Sequence, residues 1–176
     1  MRKSRSGFTI VELLIVIVVI AILATISVVA YSGIQNRTHD TAVKSDLTNL
    51  KKLIEAYAVL NGRHYPANHN DMSTENTYGF SATKNSYAVS PEATSNITLC
   101  RQDSNTKEYA IVAISKSGNR FYITNSTSVQ EYTGDWNGNE LVQSLLCAPL
   151  GYESNFRGYA LDDTTNGPWR GWVGGN

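Results

Sequence analysis

An apolar run that begins at Phe8 and ends at Ala30 holds a single ionisable side chain, Glu12. A helix rises about 1.5 Å per residue, so a run of this length spans a hydrocarbon core of roughly 30 Å. Residues 8–31 are apolar on all sides, as a lipid-facing or bundle-core helix must be. Inside lipid the helix is enforced, because backbone polar groups have no water to turn to and must be satisfied within the segment. A charged side chain in such a span costs on the order of 3 kcal/mol at mid-bilayer on insertion scales. Glu12 therefore reads as a functional group waiting for a cationic partner.

The flanks orient the run. Arg2, Lys3 and Arg5 precede it and no cation stands at its far edge. The positive-inside bias then keeps residues 1–7 in the cytoplasm and sends the remainder out. An ordinary secretory signal fits poorly, since its apolar region should be about 7–15 residues long and end in small residues. A signal anchor with a chance glutamate is the plain alternative.

The stretch Gly7-Phe8-Thr9-Ile10-Val11-Glu12, behind a short basic leader and fused directly to the apolar run, resembles the class III signal of type IV prepilins. The resemblance implies cleavage between Gly7 and Phe8 by a prepilin peptidase, N-methylation of Phe8, and assembly through Glu12. Cleavage would expose a fresh amine on Phe8, and the Glu12 carboxylate of a neighbouring subunit is its expected partner. Buried together the two charges compensate, whereas either alone is heavily penalised. Pairing of Glu12 with the amine of its own chain before assembly stays open.

Beyond the run, Val43, Leu47, Leu50, Ile54 and Tyr57 recur at helical spacing, and Leu53 and Leu60 widen the stripe. Asp46, Asn49, Lys52 and Glu55 fall between them, which predicts an amphipathic helix with one buried face. Asn61-Gly62 should end it, with Gly62 as a left-handed cap and Pro66 beyond. If the two helical segments are continuous they make a rod of about 80 Å, with Gly33 and residues 35–41 as the places to bend or unwind. The tail from Leu60 to Pro66 resembles the Asn-Gly-x-Tyr-Pro ending that follows the long helix in many pilins and pseudopilins, with His64 as an extra residue.

The expected fold is α+β: a long N-terminal helix, half membrane-spanning and half amphipathic, packed on a small antiparallel sheet. Strands are predicted at 97–100, 109–115 and 120–125, with a weaker one at 87–89. The strands at 109–115 and 120–125 flank Lys116-Ser117-Gly118-Asn119, a hairpin turn with glycine placed for positive φ. Residues 126–139 read as loop, 140–147 as a short helix or strand, and 151–176 as an aromatic, Gly-rich tail. The division is a leader over 1–7, an assembly helix over 8–31, its amphipathic half over 32–66, and a globular head over 67–176. Cys100 and Cys147 both fall in the exported part, where disulfides persist, so a bond between them is expected; two buried free thiols are the alternative.

No catalytic constellation is found, and neither a metal nor a cofactor is expected. His39, His64 and His69 lack ligands at metal-site spacing, and there is no Gly-rich phosphate loop. The oxygen-rich stretches 135–140 and 162–167 read as turns rather than calcium loops, because neither follows the EF-hand pattern. Trp169-Arg170-Gly171-Trp172 reads as packing across the sheet rather than as a stacking platform. With the basic leader removed a small acidic excess remains, which argues against nucleic-acid binding by the whole domain.

The resemblance implies a non-enzymatic subunit that waits in the cytoplasmic membrane and then enters a surface filament. Its implied partners are further copies of itself, the prepilin peptidase, the pilus assembly platform and, before assembly, the membrane. A nucleic acid or a host or surface receptor is a further possible partner. A secretion-system pseudopilin and a minor tip pilin acting as adhesin or DNA receptor are the alternatives. Intact Glu12 points to a polymerising rather than an initiating subunit, and a disulfide-closed C-terminal region points to a pilin rather than a pseudopilin.

Overall fold

The computed structural model describes residues 7–66, 80–88, 96–102, 105–134, 136, 146–152 and 154–156. They fall into two compact units divided between Asn36 and Arg37. Helix α1, Ile10–Leu60, enters both units. Its helical hydrogen bonding continues through Gly33 and residues 35–41, the stretch where the chain could have unwound. With no proline in the segment, nothing removes a backbone donor.

The C-terminal end of α1 closes as the sequence predicts. Gly62 takes φ 66° and the Arg63 N–H donates to the Ala58 carbonyl at 2.7 Å. Glycine in the left-handed conformation with this bond from the next residue is a Schellman cap. Arg63 also has a positive φ, 65°.

Five strands form one antiparallel sheet: β1 (Ile97–Gln102), β2 (Asn105–Ile114), β3 (Arg120–Thr124), β4 (Gln130–Glu131) and β5 (Ser154–Phe156). Their order across the sheet is β4-β3-β2-β1-β5. The β2–β3 hairpin pairs Ile111 with Ile123 and Ala113 with Phe121, and Gly118 in its turn has φ 91°. Four expectations need correcting. Gln130 and Glu131 lie in a span read as loop, yet they pair with Tyr122 and Phe121. β5 lies in a span read only as Gly-rich tail, and β2 starts at Asn105, ahead of its first aromatic residue. Around Tyr87 there is a 3-10 turn, Lys84–Ser86, and a single bridge from Tyr87 to Ser115 instead of a strand.

Period-two alternation gives the sheet two buried faces. Ile97, Leu99, Tyr109, Ile111, Ala113, Phe121 and Ile123 meet Val43, Leu47, Leu50 and Ile54 of α1. On the other face Cys100, Ala110 and Val112 pack with Tyr132, Leu146, Cys147 and Tyr152, and Trp136 leans on this second cluster. Tyr132 is fixed there by its hydroxyl, which donates to the Leu146 carbonyl at 2.9 Å. The helix stripe differs from the predicted one at two places. Leu60 is 70% exposed, whereas Asp46, assigned to the polar face, is 5% exposed. Leu60 is the last residue of the helix.

Burial of Asp46 is tolerable because its carboxylate is saturated with donors. Thr83 gives its backbone N–H at 2.7 Å and its hydroxyl at 3.1 Å, and the Tyr87 hydroxyl gives a third bond at 2.9 Å. Glu55 has the same role further along α1. It accepts from the Tyr109 hydroxyl at 2.9 Å and from the Tyr65 hydroxyl at 3.2 Å, and the two rings meet edge to face. That places the tyrosine of the Leu60–Pro66 tail: it ties the chain after the helix back to the helix. Burial, with Asp46 and Glu55 beside them, pushes the Tyr87 and Tyr109 hydroxyls up from the usual range. Asp40 takes the hydrogen bonds of Ser117 and, at 2.7 Å, Asn119. Burial raises its carboxyl, but bonds from Ser117, Ser115 and Asn119, with the nearby Lys44 ammonium, outweigh that and hold it below the ordinary value.

Candidate assembly site

Gly7, Phe8 and Thr9 precede the first helical residue, Ile10. Thr9 is the N-cap of α1 and Glu12 stands three positions on. The Thr9 hydroxyl accepts from the Glu12 N–H at 3.2 Å, while Glu12 Oε2 accepts from the Thr9 N–H at 2.8 Å. This reciprocal pair is a capping box, which satisfies two of the backbone donors that every helix start leaves orphaned. The Thr9 hydroxyl also donates to the same Oε2 at 2.8 Å. The structure thus gives Glu12 a partner that the sequence reading missed. The signal was present as Thr-x-x-Glu at the head of an apolar run.

Among the described residues, a Cβ added at Gly7 would meet no other atom within 4 Å. Phe8 is 87% exposed, and the large apolar side chains that follow on α1, up to Ile34, are exposed as well. α1 contains a stretch long and apolar enough to cross a membrane.

Cys100 and Cys147 are joined by a disulfide with Cα atoms 5.4 Å apart. It bridges β1 to the residue that caps the 3-10 turn Ala148–Leu150, on the sheet face turned away from α1. The structure therefore leaves the cysteines and the Gly7–Glu12 group as separate features on separate units. Among the described residues no cluster of histidine, cysteine and carboxylate side chains is arranged to hold a metal. The stretch 162–167, Trp169 and Trp172 lie outside the described residues, as does all of 135–140 except Trp136.

Residues 2–28 match the family described as the prokaryotic N-terminal methylation motif. A fimbrial protein of Pseudomonas aeruginosa is 35% identical over 78 residues, which is 44% of this chain and 50% of that protein. The type IV wide pilus major component PilA4 of Thermus thermophilus is 37% identical over 62 residues, 35% of this chain and 47% of its own length. The type II secretion system core protein G of Klebsiella michiganensis is 34% identical over 63 residues, 36% of this chain and 44% of that protein. The chain thus spans about half the length of the curated relatives it matches. No solved structure matches it. The chain thus carries a prokaryotic N-terminal methylation motif over residues 2–28 and is similar over part of its length to fimbrial, type IV pilus and type II secretion proteins.

Proposed function

We propose that this chain is a structural subunit of a type IV pilus-like surface filament, made as a single-pass membrane precursor and polymerised through α1. The observation that carries the reading is the pairing of an unfilled apolar helix surface with a lone carboxylate at its head. The large apolar side chains from Ile10 to Val29 are exposed, and so much apolar surface is stable only in lipid or against other copies. Glu12 adds direction, because a carboxylate in that setting is stabilised by a cation brought to it.

In this reading Gly7 is read by a processing enzyme rather than by the fold. Cleavage before Phe8 supplies the amine, its methylation follows, and the amine of one copy meets Glu12 of another. The assembly platform is the remaining partner, and no catalysis by the chain itself is involved. Its place is the cytoplasmic membrane first and the cell surface afterwards.

The test is N-terminal sequencing and mass spectrometry of material sheared from cells that express the full chain. The expected result is long filaments whose subunit begins at methylated Phe8. Filaments carrying intact Met1 would overturn the reading. Processed protein that forms only short periplasmic stubs would favour the pseudopilin role of its secretion-system relative.

A further inference from the structure

We propose that a cleft on the sheet face turned away from α1 binds a neutral saccharide. Glu108 and Ser126 engage its hydroxyls, and Tyr122 with Leu150 takes its C–H face. The cleft lies within the globular unit, so the inference stands apart from the filament reading above.

Strand alternation and register gather the site. Tyr109, Ile111, Phe121 and Ile123 face α1, so Glu108, Tyr122 and Thr124 stand on the opposite face. They are neighbours there, because Ala110 pairs with Thr124 and Val112 with Tyr122. The second wall is the chain that follows Cys147. Its start is fixed by the disulfide to Cys100, and the Tyr152 N–H donates to the Cys147 carbonyl at 3.2 Å. The two walls leave between them about 440 Å³, inside the roughly 300–1,000 Å³ of small-molecule sites. Tyr122 meets Tyr132 edge to face at 6.4 Å between centroids, and Tyr152 packs in the second cluster. Side chains so held are ordered by folding, which lowers the cost of binding.

Among the described residues the lining holds a single charged side chain, Glu108, which is exposed. An ionised carboxylate only accepts hydrogen bonds, so its ligand must bring donors. The Thr124 hydroxyl is already engaged, accepting from the Ser126 and Thr127 N–H groups at 3.2 and 3.0 Å. Ser126 is exposed, with its hydroxyl 3.2 Å from that of Thr124. Burial, and then the Glu108 charge, pushes the Tyr152 hydroxyl up from its ordinary range, so it remains a donor. With no cation in the described lining, a phosphate, sulfate or carboxylate group would meet only the like charge of Glu108. A pyranose ring instead carries hydroxyl donors around its edge and C–H groups on its face. Tyr122, Pro149 and Leu150 supply the apolar contact for that face. An uncharged saccharide thus satisfies both kinds of wall at once.

The test is saturation-transfer NMR on the full chain in a zwitterionic detergent without a sugar headgroup. The probes are the methyl glycosides of glucose, galactose, mannose and N-acetylglucosamine, with methyl glucuronide as an anionic and glucosamine as a cationic counterpart. Saturation should pass to the ring C–H protons of at least one neutral probe. The glucuronide should bind about ten-fold more weakly, the scale of a like charge at close range. Glu108→Ala should cut the affinity for the neutral probe about ten-fold, as loss of a bond to a charged group does. Glu108 is exposed, so the unfolding midpoint of that variant should stay that of wild type. Glu131→Ala removes an exposed carboxylate outside the cleft and should bind as wild type does. No transfer to any neutral probe would overturn the proposal, and so would glucuronide binding as tightly as the best of them. Glucosamine binding more tightly than every neutral probe would assign the cleft to amines and overturn it too. Equal losses in Glu108→Ala and Glu131→Ala would do the same, by showing an effect of overall charge.

Discussion

The hydroxyl of Tyr87 donates to the carboxylate of Asp46 at 2.9 Å, and both residues are buried between α1 and the hairpin layer. Deleting that hydroxyl leaves a buried charge short of a donor. Tyr87→Phe should lower the stability of the globular unit by about 1.5–3 kcal/mol, the range for a hydrogen bond to a charged group. Thermal unfolding of the full chain in detergent measures it, and an unchanged midpoint would show that water replaces the bond.

The same contact sets a response to alkali. Tyr87 and Tyr109 are held above their usual range by burial and by a neighbouring carboxylate. Folding therefore favours the protonated phenol. Their contribution is complete below the unfolded value of about 10 and is lost as pH rises beyond it. Unfolding midpoints followed from about pH 8 to about pH 11 should fall more steeply in wild type than in Tyr87→Phe.

The Cys100–Cys147 bond closes a span of 47 positions. Chain entropy puts the stabilisation from a loop of that size at about 4 kcal/mol. Cys100→Ser with Cys147→Ser should lower the unfolding midpoint accordingly while leaving N-terminal processing intact. A loss of processing in this variant would mean that the two units are coupled.

Glu12→Gln tests the role of charge at the head of α1. The side chain keeps its shape and its ability to accept from Thr9, so the helix cap should survive. If the carboxylate docks on a neighbour's amine, losing it breaks a buried pair worth about 3–5 kcal/mol at each subunit. The mutant should be processed, accumulate in the membrane and yield few filaments. Thr9→Val is the complement, since it removes the cap at a cost of about 1 kcal/mol and keeps the charge. Equal filament yield from Glu12→Gln and wild type would remove Glu12 from assembly.

Gly134 tests packing in the second cluster. A Cβ there would run into the Tyr132 ring and hydroxyl, whereas one at Gly33 would meet nothing within 4 Å. Gly134→Ala should destabilise the globular unit by about 1–3 kcal/mol, as overpacking does. Gly33→Ala should be neutral or slightly favourable to helix α1. Comparable unfolding midpoints for the two variants would contradict the packing described for Tyr132.

The parts of this fold that were legible are those where pattern outweighs detail. Val43, Leu47, Leu50 and Ile54 mark a face because their spacing is sustained over several turns, and the hairpin is marked by alternation on both sides of Gly118. Asp46 was not legible, since a carboxylate flanking an apolar stripe reads as solvent face until Thr83 and Tyr87 are placed around it. Gln130–Glu131 and Ser154–Phe156 were too short to show any period. Thr9 was visible as a residue of the prepilin-like signal, but its bond to Glu12 depends on where the helix begins, a boundary that apolar composition alone does not fix.

The strand order has a consequence for crowding. Unpaired rims of a sheet invite identical molecules to extend it, the usual route to uncontrolled stacking. Here the outermost strands, β4 and β5, offer two and three residues, and Gln130 and Glu131 are both solvent-facing, one of them charged. Among the described residues, heads packed side by side at high local concentration thus have little sheet-edge backbone with which to adhere to one another. Order in such an array is left to the helices.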